Sequence, residues 1–219
     1  MKLLLTSAGF ANPTIIQALK SLVNRPFEKF SLAYVPTAAN VEEGDKSWLI
    51  DDLTCIKSLS FASVDIVDIS AVSKDIWEPR LNKADILMVG GGNTFHLMYW
   101  LDRSGLKDLL PDFLESKIYV GVSAGSCVMG PTIYNSVQNL FDEKNVYDQK
   151  KGLGIVSFQF IPHLNSPFFP KINKASLQKA APNITEPIYA LDDQSAIKVV
   201  DGKIEVVSEG KYLLFNQKI

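Results

Sequence analysis

The chain has 219 residues, with 22 lysines and arginines against 24 aspartates and glutamates, and 47% of its residues are apolar. These values are those of an ordinary globular protein, and they exclude a disordered acidic chain and a disulfide-dense module. The formal charge of −2 argues against a nucleic-acid partner, and no apolar run approaches the roughly 20 residues of a membrane span. The two cysteines, Cys55 and Cys127, indicate no disulfide framework, so we expect a cytoplasmic protein.

Short apolar runs alternate with amphipathic stretches through the first two thirds of the chain. This alternation predicts a mostly parallel sheet covered by helices on both faces, an α/β fold of three layers in one domain, 1–219. In chain order, we expect strands at 3–5, 31–35, 64–69, 86–89 and 118–122, and helices at 13–23, 48–59, 94–101, 106–114 and 124–129.

The last third has a different pattern. It predicts a strand at 155–161, a short helix at 174–181 and a small antiparallel meander of strands 196–200, 203–207 and 212–215. Asp201-Gly202 and Glu209-Gly210 are the turn signals of this meander. We therefore expect a small antiparallel C-terminal extension of the parallel sheet.

A possible nucleophile lies in Gly121-Val122-Ser123-Ala124-Gly125, which matches G-x-S-x-G between a predicted strand and a predicted helix. In this context a sharp turn raises the serine hydroxyl above the sheet, and the glycines allow close backbone approach. The helix N-terminus also favours developing negative charge. The alternative is a helix N-cap serine with no chemistry.

A serine nucleophile needs a base, and the chain has only two histidines, His96 and His163. We favour His163, because it directly follows a predicted strand and so lies at a carboxyl end, as Ser123 does. His96 falls at the start of a helix, where we expect a surface or capping residue. The orienting acid is expected at Asp192 or Asp193, before a strand, with Glu186 and Asp85 as further candidates.

Three glycines, Gly90 to Gly92, follow the strand at 86–89. Such a loop can aim backbone N–H groups at one point, but neither a P-loop lysine nor a dinucleotide fingerprint accompanies it. We therefore predict an oxyanion hole formed by Gly91, Gly92 and Ala124. The sequence has no cluster with metal-ligand spacing, and we expect neither a metal nor an organic cofactor.

These motifs together resemble a known family. Gly90-Gly91-Gly92-Asn93-Thr94-Phe95, Gly121-x-Ser123-Ala124-Gly125-Ser126, Pro131-Thr132-Ile133 and Pro162-His163 are similar to motifs of the dipeptidase E and cyanophycinase family of serine peptidases. The resemblance covers most of the chain and implies a fold like that of class I glutamine amidotransferases, whose order is nucleophile, histidine, acid. An α/β-hydrolase order would instead need an acid such as Asp142 or Asp148.

The resemblance implies that Ser123 is the nucleophile, His163 the base and Asp193 the acid, with Asp192 as the alternate. It also implies substrate contacts at Asn93, Thr132 and position 134. Relatives specific for N-terminal aspartate have an arginine where this chain has Tyr134, and Gln138 replaces a later acid. Because tyrosine cannot pair bidentately with a carboxylate, strict aspartyl specificity is not expected here.

The sequence therefore predicts a serine peptidase that hydrolyses small peptides, as dipeptidases do, through an acyl-enzyme. Two alternatives remain open at this point. One is an esterase or amidase acting on a non-peptide substrate, and the other is a catalytically silent binding protein of the same fold. The expected partner is a small peptide, with no nucleic acid and no membrane, and the sequence does not predict an oligomeric state.

Overall fold

The computed structural model describes residues 1–133, 137 and 139–217. These residues form seven α-helices and ten strands in two sheets. The strands are β1 (Lys2–Thr6), β2 (Ser31–Val35), β3 (Ser63–Ile66), β4 (Ile86–Val89), β5 (Ile118–Val122), β6 (Gln159–Ile161), β7 (Ile188–Leu191), β8 (Ser195–Val200), β9 (Lys203–Ser208) and β10 (Tyr212–Phe215). The helices are α1 (Pro13–Leu22), α2 (Ser47–Ser58), α3 (Lys74–Lys83), α4 (Thr94–Ser104), α5 (Leu106–Ser116), α6 (Ala124–Cys127) and α7 (Lys174–Ala180).

The main sheet has seven strands in the order β3-β2-β4-β5-β1-β8-β9. Its first five strands are parallel, and β8 and β9 extend it as an antiparallel hairpin on the far side of β1. The expected α/β class is confirmed. Because the five parallel strands end at one edge, the loops that follow β1, β4 and β5 lie together there.

Helices cover both faces of this sheet because the strand side chains alternate between two cores. Leu4 of β1 packs with buried side chains of α1 and α2 on one face. Leu3 and Leu5 point to the other face, where α3, α4 and α5 supply the packing, for example through the fully buried Phe95. The expected three-layer arrangement therefore follows from the period of two in the strands and the apolar stripes of the helices.

The expected C-terminal meander is wrong in one respect. β8 and β9 form the hairpin, but β10 leaves it and pairs antiparallel with β7, which is itself parallel to β6. This second sheet encloses its own core, which includes Ile188 and Ala190 of β7 and the half-buried Leu213 and Phe215 of β10. Burial of that apolar face explains why β10 does not continue along β9.

Two elements have no counterpart in the sequence-based prediction, α3 and β7. Helix α3 contains Pro79, a residue that usually disfavours a helix interior, yet Trp77 and Leu81 lie one turn apart and are buried. The strand expected at 155–161 is confined to β6, and the strand expected at 64–69 ends at Ile66. Within the part of the chain that the structure describes, no helix is long and apolar enough to cross a membrane.

Candidate active site

Ser123 lies on a strained turn between β5 and α6, with φ 47° and ψ −106°. Two glycines make this turn possible. A Cβ added at Gly125 would lie 2.1 Å from the Val89 carbonyl oxygen of β4, and one at Gly121 would lie 2.7 Å from the Gly125 carbonyl oxygen. The G-x-S-x-G spacing therefore reflects close packing of the turn against neighbouring backbone, which holds the serine hydroxyl above the sheet edge.

His163 reaches this hydroxyl from the second sheet. It follows β6 by one residue and has a left-handed backbone with φ 63°. The next residue, Leu164, donates its backbone N–H to the Leu191 carbonyl oxygen at the end of β7. The imidazole Nε2 lies 2.9 Å from the Ser123 Oγ. The two motifs are thus brought into hydrogen-bond contact although 40 residues separate them along the chain.

Asp193, in the turn between β7 and β8, completes an array of three residues joined by hydrogen-bond contacts, Ser123, His163 and Asp193. Its Oδ1 lies 2.6 Å from His163 Nδ1. Asp192 has different partners, since its Oδ1 accepts from the Ser195 hydroxyl at 2.6 Å and from the Gln194 N–H at 3.1 Å. The structure therefore places Asp193, and not Asp192, against the imidazole.

The charge state of Asp193 suits this arrangement. Burial of its carboxyl disfavours ionisation, but hydrogen bonds and charge from His163, together with bonds from Ser7 and Ser166, outweigh burial and hold the pKa of Asp193 below its usual value. An ionised carboxylate at Nδ1 favours the tautomer with a proton there. The Nε2 lone pair is then free to accept the proton of the Ser123 hydroxyl.

The glycine loop after β4 packs directly against the serine. A Cβ added at Gly91 would lie 3.3 Å from Ser123 Cβ, and Gly92 has a positive φ of 125° with no room for a side chain beside Ala38. Among the described residues, no partner takes the backbone N–H groups of Gly91, Gly92 or Ala124. The loop is therefore close enough to Ser123, and has enough free donors, to receive an oxyanion.

The residues expected to contact substrate have other partners in the structure. Asn93 caps α4, with its Oδ1 accepting from the His96 N–H at 2.9 Å. The Thr132 hydroxyl donates to the Lys150 carbonyl oxygen at 2.7 Å. Tyr134 and Gln138 lie outside the described residues. These bonds make Asn93 the cap of α4 and join Thr132 to the segment at Lys150.

Asp85, Asp142 and Asp148, three other acids raised from the sequence, have partners outside the array. Asp85 accepts hydrogen bonds from Ser31 at the amino ends of the strands, the opposite edge of the sheet. Asp142 pairs with Lys171, and Asp148 is exposed. The expectation of a surface or capping His96 is wrong, because its ring is buried against α4 neighbours and lies 2.7 Å from the Tyr147 hydroxyl.

Three residues near the array were missed by sequence reasoning. The Phe169 ring stacks on the His163 imidazole, with ring centroids 4.4 Å apart and planes 12° apart. Phe141 meets the same imidazole edge-on at 6.4 Å. The Ser7 hydroxyl contacts both His163 and Asp193. Only the position of Ser7, at the carboxyl end of β1, gave a sequence signal, since this edge carries sites in parallel sheets.

No group of three or more His, Cys, Asp or Glu side chains suited to hold a metal occurs in residues 1–133, 137 and 139–217. A cavity of about 400 Å³ opens at the amino edge of the sheet, beside Lys2, Lys117 and Asp201. None of its lining residues belongs to the array, so this cavity is separate from the candidate active site.

A strained serine between a buried parallel strand and a helix, in contact with a histidine, defines a class of α/β hydrolytic enzymes. The model of peptidase family S51 matches residues 3–207, so the chain belongs to peptidase family S51 and is a peptidase. Among curated proteins, it is 30% identical over 171 residues to an uncharacterised peptidase of Pasteurella multocida, covering 77% of this chain and 81% of that protein. It is 30% identical over 141 residues to peptidase E of a Nostoc species, covering 62% of this chain and 57% of that protein.

Two solved structures have the same architecture as this chain. A putative peptidase E from Listeria monocytogenes superposes with a TM-score of 0.81 at 27% identity, covering 95% of this chain and 98% of that one. A peptidase from an acI-B1 actinobacterium gives a TM-score of 0.71 at 20% identity, covering 96% of this chain and 88% of that one. The first structure supports the family membership as well as the fold, and the second supports the fold alone.

Proposed function

We propose that the protein is a serine peptidase that hydrolyses small peptides, in the manner of a dipeptidase. The observation that carries this proposal is the array of Ser123, His163 and Asp193, with contacts of 2.9 and 2.6 Å. Family membership supports peptide hydrolysis, and the names of several relatives support a peptidase E-like activity.

The chemistry begins with proton transfer from the Ser123 hydroxyl to His163 Nε2 as Oγ attacks the carbonyl carbon of the scissile amide. Ionised Asp193 stabilises the imidazolium that forms. The oxyanion of the tetrahedral intermediate accepts hydrogen bonds from backbone N–H groups of Gly91, Gly92 and Ala124. His163 then protonates the leaving amine, and water hydrolyses the ester to Ser123 with His163 again acting as the base.

A small peptide is the proposed substrate, without a requirement for N-terminal aspartate. The resemblance that suggests dipeptides also puts Tyr134 where aspartate-specific relatives have an arginine. The rim near Ser123 offers apolar surface, since the Trp48 ring lies beside Gly91 and is 38% exposed. Both cysteines are free thiols, which supports the proposed cytoplasmic location.

The first test is hydrolysis of a mixed dipeptide pool, followed by mass spectrometry, with wild type and with Ser123→Ala. The pool includes members with N-terminal Asp, Glu and apolar residues. We expect several dipeptides to be cleaved by the wild type and none above background by the variant, because the variant has no nucleophile. Far-UV circular dichroism of both proteins controls for folding.

Cleavage that persists in folded Ser123→Ala would contradict the assignment of the nucleophile. Turnover of p-nitrophenyl esters with no dipeptide cleaved would contradict the peptidase proposal and favour the esterase. Neither activity, together with no labelling of wild-type Ser123 by a fluorophosphonate, would leave the silent binding protein as the better explanation.

A further inference from the structure

Ser7 connects two members of the array through one hydroxyl. It directly follows β1, its exposed fraction is 0%, and its backbone N–H donates to the Ser195 carbonyl oxygen at 3.2 Å. Its Oγ donates to Asp193 Oδ1 at 2.9 Å and accepts the backbone N–H of His163 at 2.8 Å. One hydroxyl can make both bonds at once, because it has one donated hydrogen and two lone pairs.

We infer that Ser7 is a positioning residue of the peptidase, which fixes the backbone of the base and the carboxylate of the acid relative to each other. This inference rests on the proposed function of the array. Among the described residues, Ser7 makes no hydrogen bond to Ser123, and it has no part in the proposed bond-making steps, so its role is exerted through His163 and Asp193.

The backbone at His163 explains why such a residue is needed. With φ 63°, this non-glycine residue has a left-handed conformation that persists only where its surroundings determine it. Its N–H is directed to Ser7 Oγ, while the following N–H is fixed by Leu191. Ser7 therefore holds the backbone that aims the imidazole at Ser123.

The carboxylate of Asp193 depends on the same hydroxyl. Its Oδ1 accepts from both His163 Nδ1 and Ser7 Oγ, and the bond from Ser7 helps to lower the pKa of this acid against the opposing effect of burial. A carboxylate that accepts two directed donors on one oxygen has less rotational freedom than one that accepts a single donor. Three separate chain segments, the ends of β1, β6 and β7, thus meet at Ser7.

The test compares Ser7→Ala with Ser31→Ala in steady-state dipeptide hydrolysis. Ser31 is a matched control at the opposite edge of the sheet, because its hydroxyl likewise donates to a carboxylate, Asp85 Oδ2 at 2.8 Å, and accepts a backbone N–H, that of Asp85 at 3.2 Å. We expect Ser7→Ala to lower kcat about 10- to 100-fold with little change in KM, and Ser31→Ala to keep kcat within about twofold. Equal kcat losses in the two variants, or none in Ser7→Ala, would overturn the inference.

Ser7→Cys separates the hydrogen bonds from packing. A thiol fills the volume of the hydroxyl but is a weak donor and acceptor. We expect its kcat to fall as in Ser7→Ala, whereas a wild-type kcat would show that packing alone matters and would overturn the positioning role.

Proton NMR gives a readout that does not need turnover. The chain has only two histidines, so the Nδ1-bound proton of His163 can be assigned with a His96→Gln variant. We expect a protected downfield resonance in the wild type and in Ser31→Ala, and its broadening or loss in folded Ser7→Ala. An unchanged resonance in Ser7→Ala would overturn the inference. If wild type cleaves no dipeptide, the proposed function fails, while this measurement still decides the role of Ser7.

Discussion

Asp192 and Asp193 are neighbours in the chain with separate tasks in the structure. Asp193 faces His163, whereas Asp192 organises the turn before β8 through the Ser195 hydroxyl and the Gln194 N–H. Substitutions of Asp192 and Asp193 can therefore be compared directly. The two side chains are identical and adjacent in the chain, and only their hydrogen-bond partners differ.

We expect Asp193→Asn to reduce kcat by about 10³- to 10⁴-fold, because an amide at Nδ1 permits the tautomer that leaves Nε2 protonated. Asp192→Asn retains an acceptor for its turn bonds, so its kcat should stay within a few-fold of the wild type. Steady-state kinetics on one cleaved dipeptide, with circular dichroism of each variant, measures both. A larger loss in Asp192→Asn would show that the acid has been assigned to the wrong residue.

At the scale of the element, α4 links the glycine loop to the rest of the fold. Its first turn is capped twice, by the Asn93 side chain at the His96 N–H and by Glu143, whose carboxylate accepts from the Thr94 N–H at 2.6 Å and hydroxyl at 3.0 Å. These caps hold the N-terminus of α4 next to Gly91 and Gly92, where the oxyanion is proposed to form.

We expect Asn93→Ala to lower the free energy of unfolding by about 1 kcal/mol, the usual effect of losing an N-cap. Asn93→Asp should restore it, because a carboxylate accepts the same N–H and is favoured at a helix N-terminus. Urea denaturation of the three proteins measures the difference. Asn173→Ala removes the corresponding cap of α7, where Asn173 accepts from the Ser176 N–H at 3.0 Å, and serves as a control remote from the loop. If Asn93→Asp is as unstable as Asn93→Ala, the capping role is wrong.

At the scale of the whole molecule, two carboxyl groups far apart in the chain shape the pH dependence of stability. Burial raises the pKa of Asp52 to about 7, with a smaller contribution from the Asp51 charge. Burial likewise raises the pKa of Glu143 to about 7, although its bonds from Thr94 oppose the shift. Each folded-state pKa lies above the usual carboxyl range, so the folded protein binds these protons more tightly than the unfolded chain does.

The sign of the effect follows from these raised values. Protonated Asp52 and Glu143 favour the folded state. Their contribution to stability is fully present below about pH 4 and is lost as pH rises towards and through 7. Acids with a lowered pKa, such as Asp65, Asp68 and Asp193, change stability only at more acidic pH. Each group should remove about 2 kcal/mol of stability between pH 5.5 and pH 8. Burial lowers the pKa of His96, so this residue opposes part of the loss at the acidic end of the range. We therefore expect the free energy of unfolding to fall by on the order of 2–4 kcal/mol between pH 5.5 and pH 8.

Urea denaturation of wild type, Asp52→Asn and Glu143→Gln at pH 5.5, 7 and 8 measures this dependence. Each variant should flatten the pH dependence, since it removes one group that must ionise within the folded protein. Asp112→Asn, at an exposed position of α5, is the matched control and should follow the wild type. A wild-type stability that rises from pH 5.5 to pH 8 would contradict the prediction.

The sequence by itself determined the local elements and the identity of the chemical groups. Period-two strands, helical stripes and turn residues are local properties, so they predicted the parallel sheet and the turn at Ser123. A single histidine after a strand was enough to select His163. Resemblance to a family favoured Asp193 over Asp192, while the residues alone left that choice open.

Only the tertiary structure decided which distant segments meet. The pairing of β10 with β7, the burial of His96, the bonds of Glu143 to Thr94 and the double contact of Ser7 each join distant parts of the chain through space. Such contacts depend on the packing of whole layers and on the direction of single side chains. A local sequence pattern specifies neither the packing of layers nor the direction of a side chain. The same serine or strand is compatible with several partners until the surrounding apolar surfaces are buried.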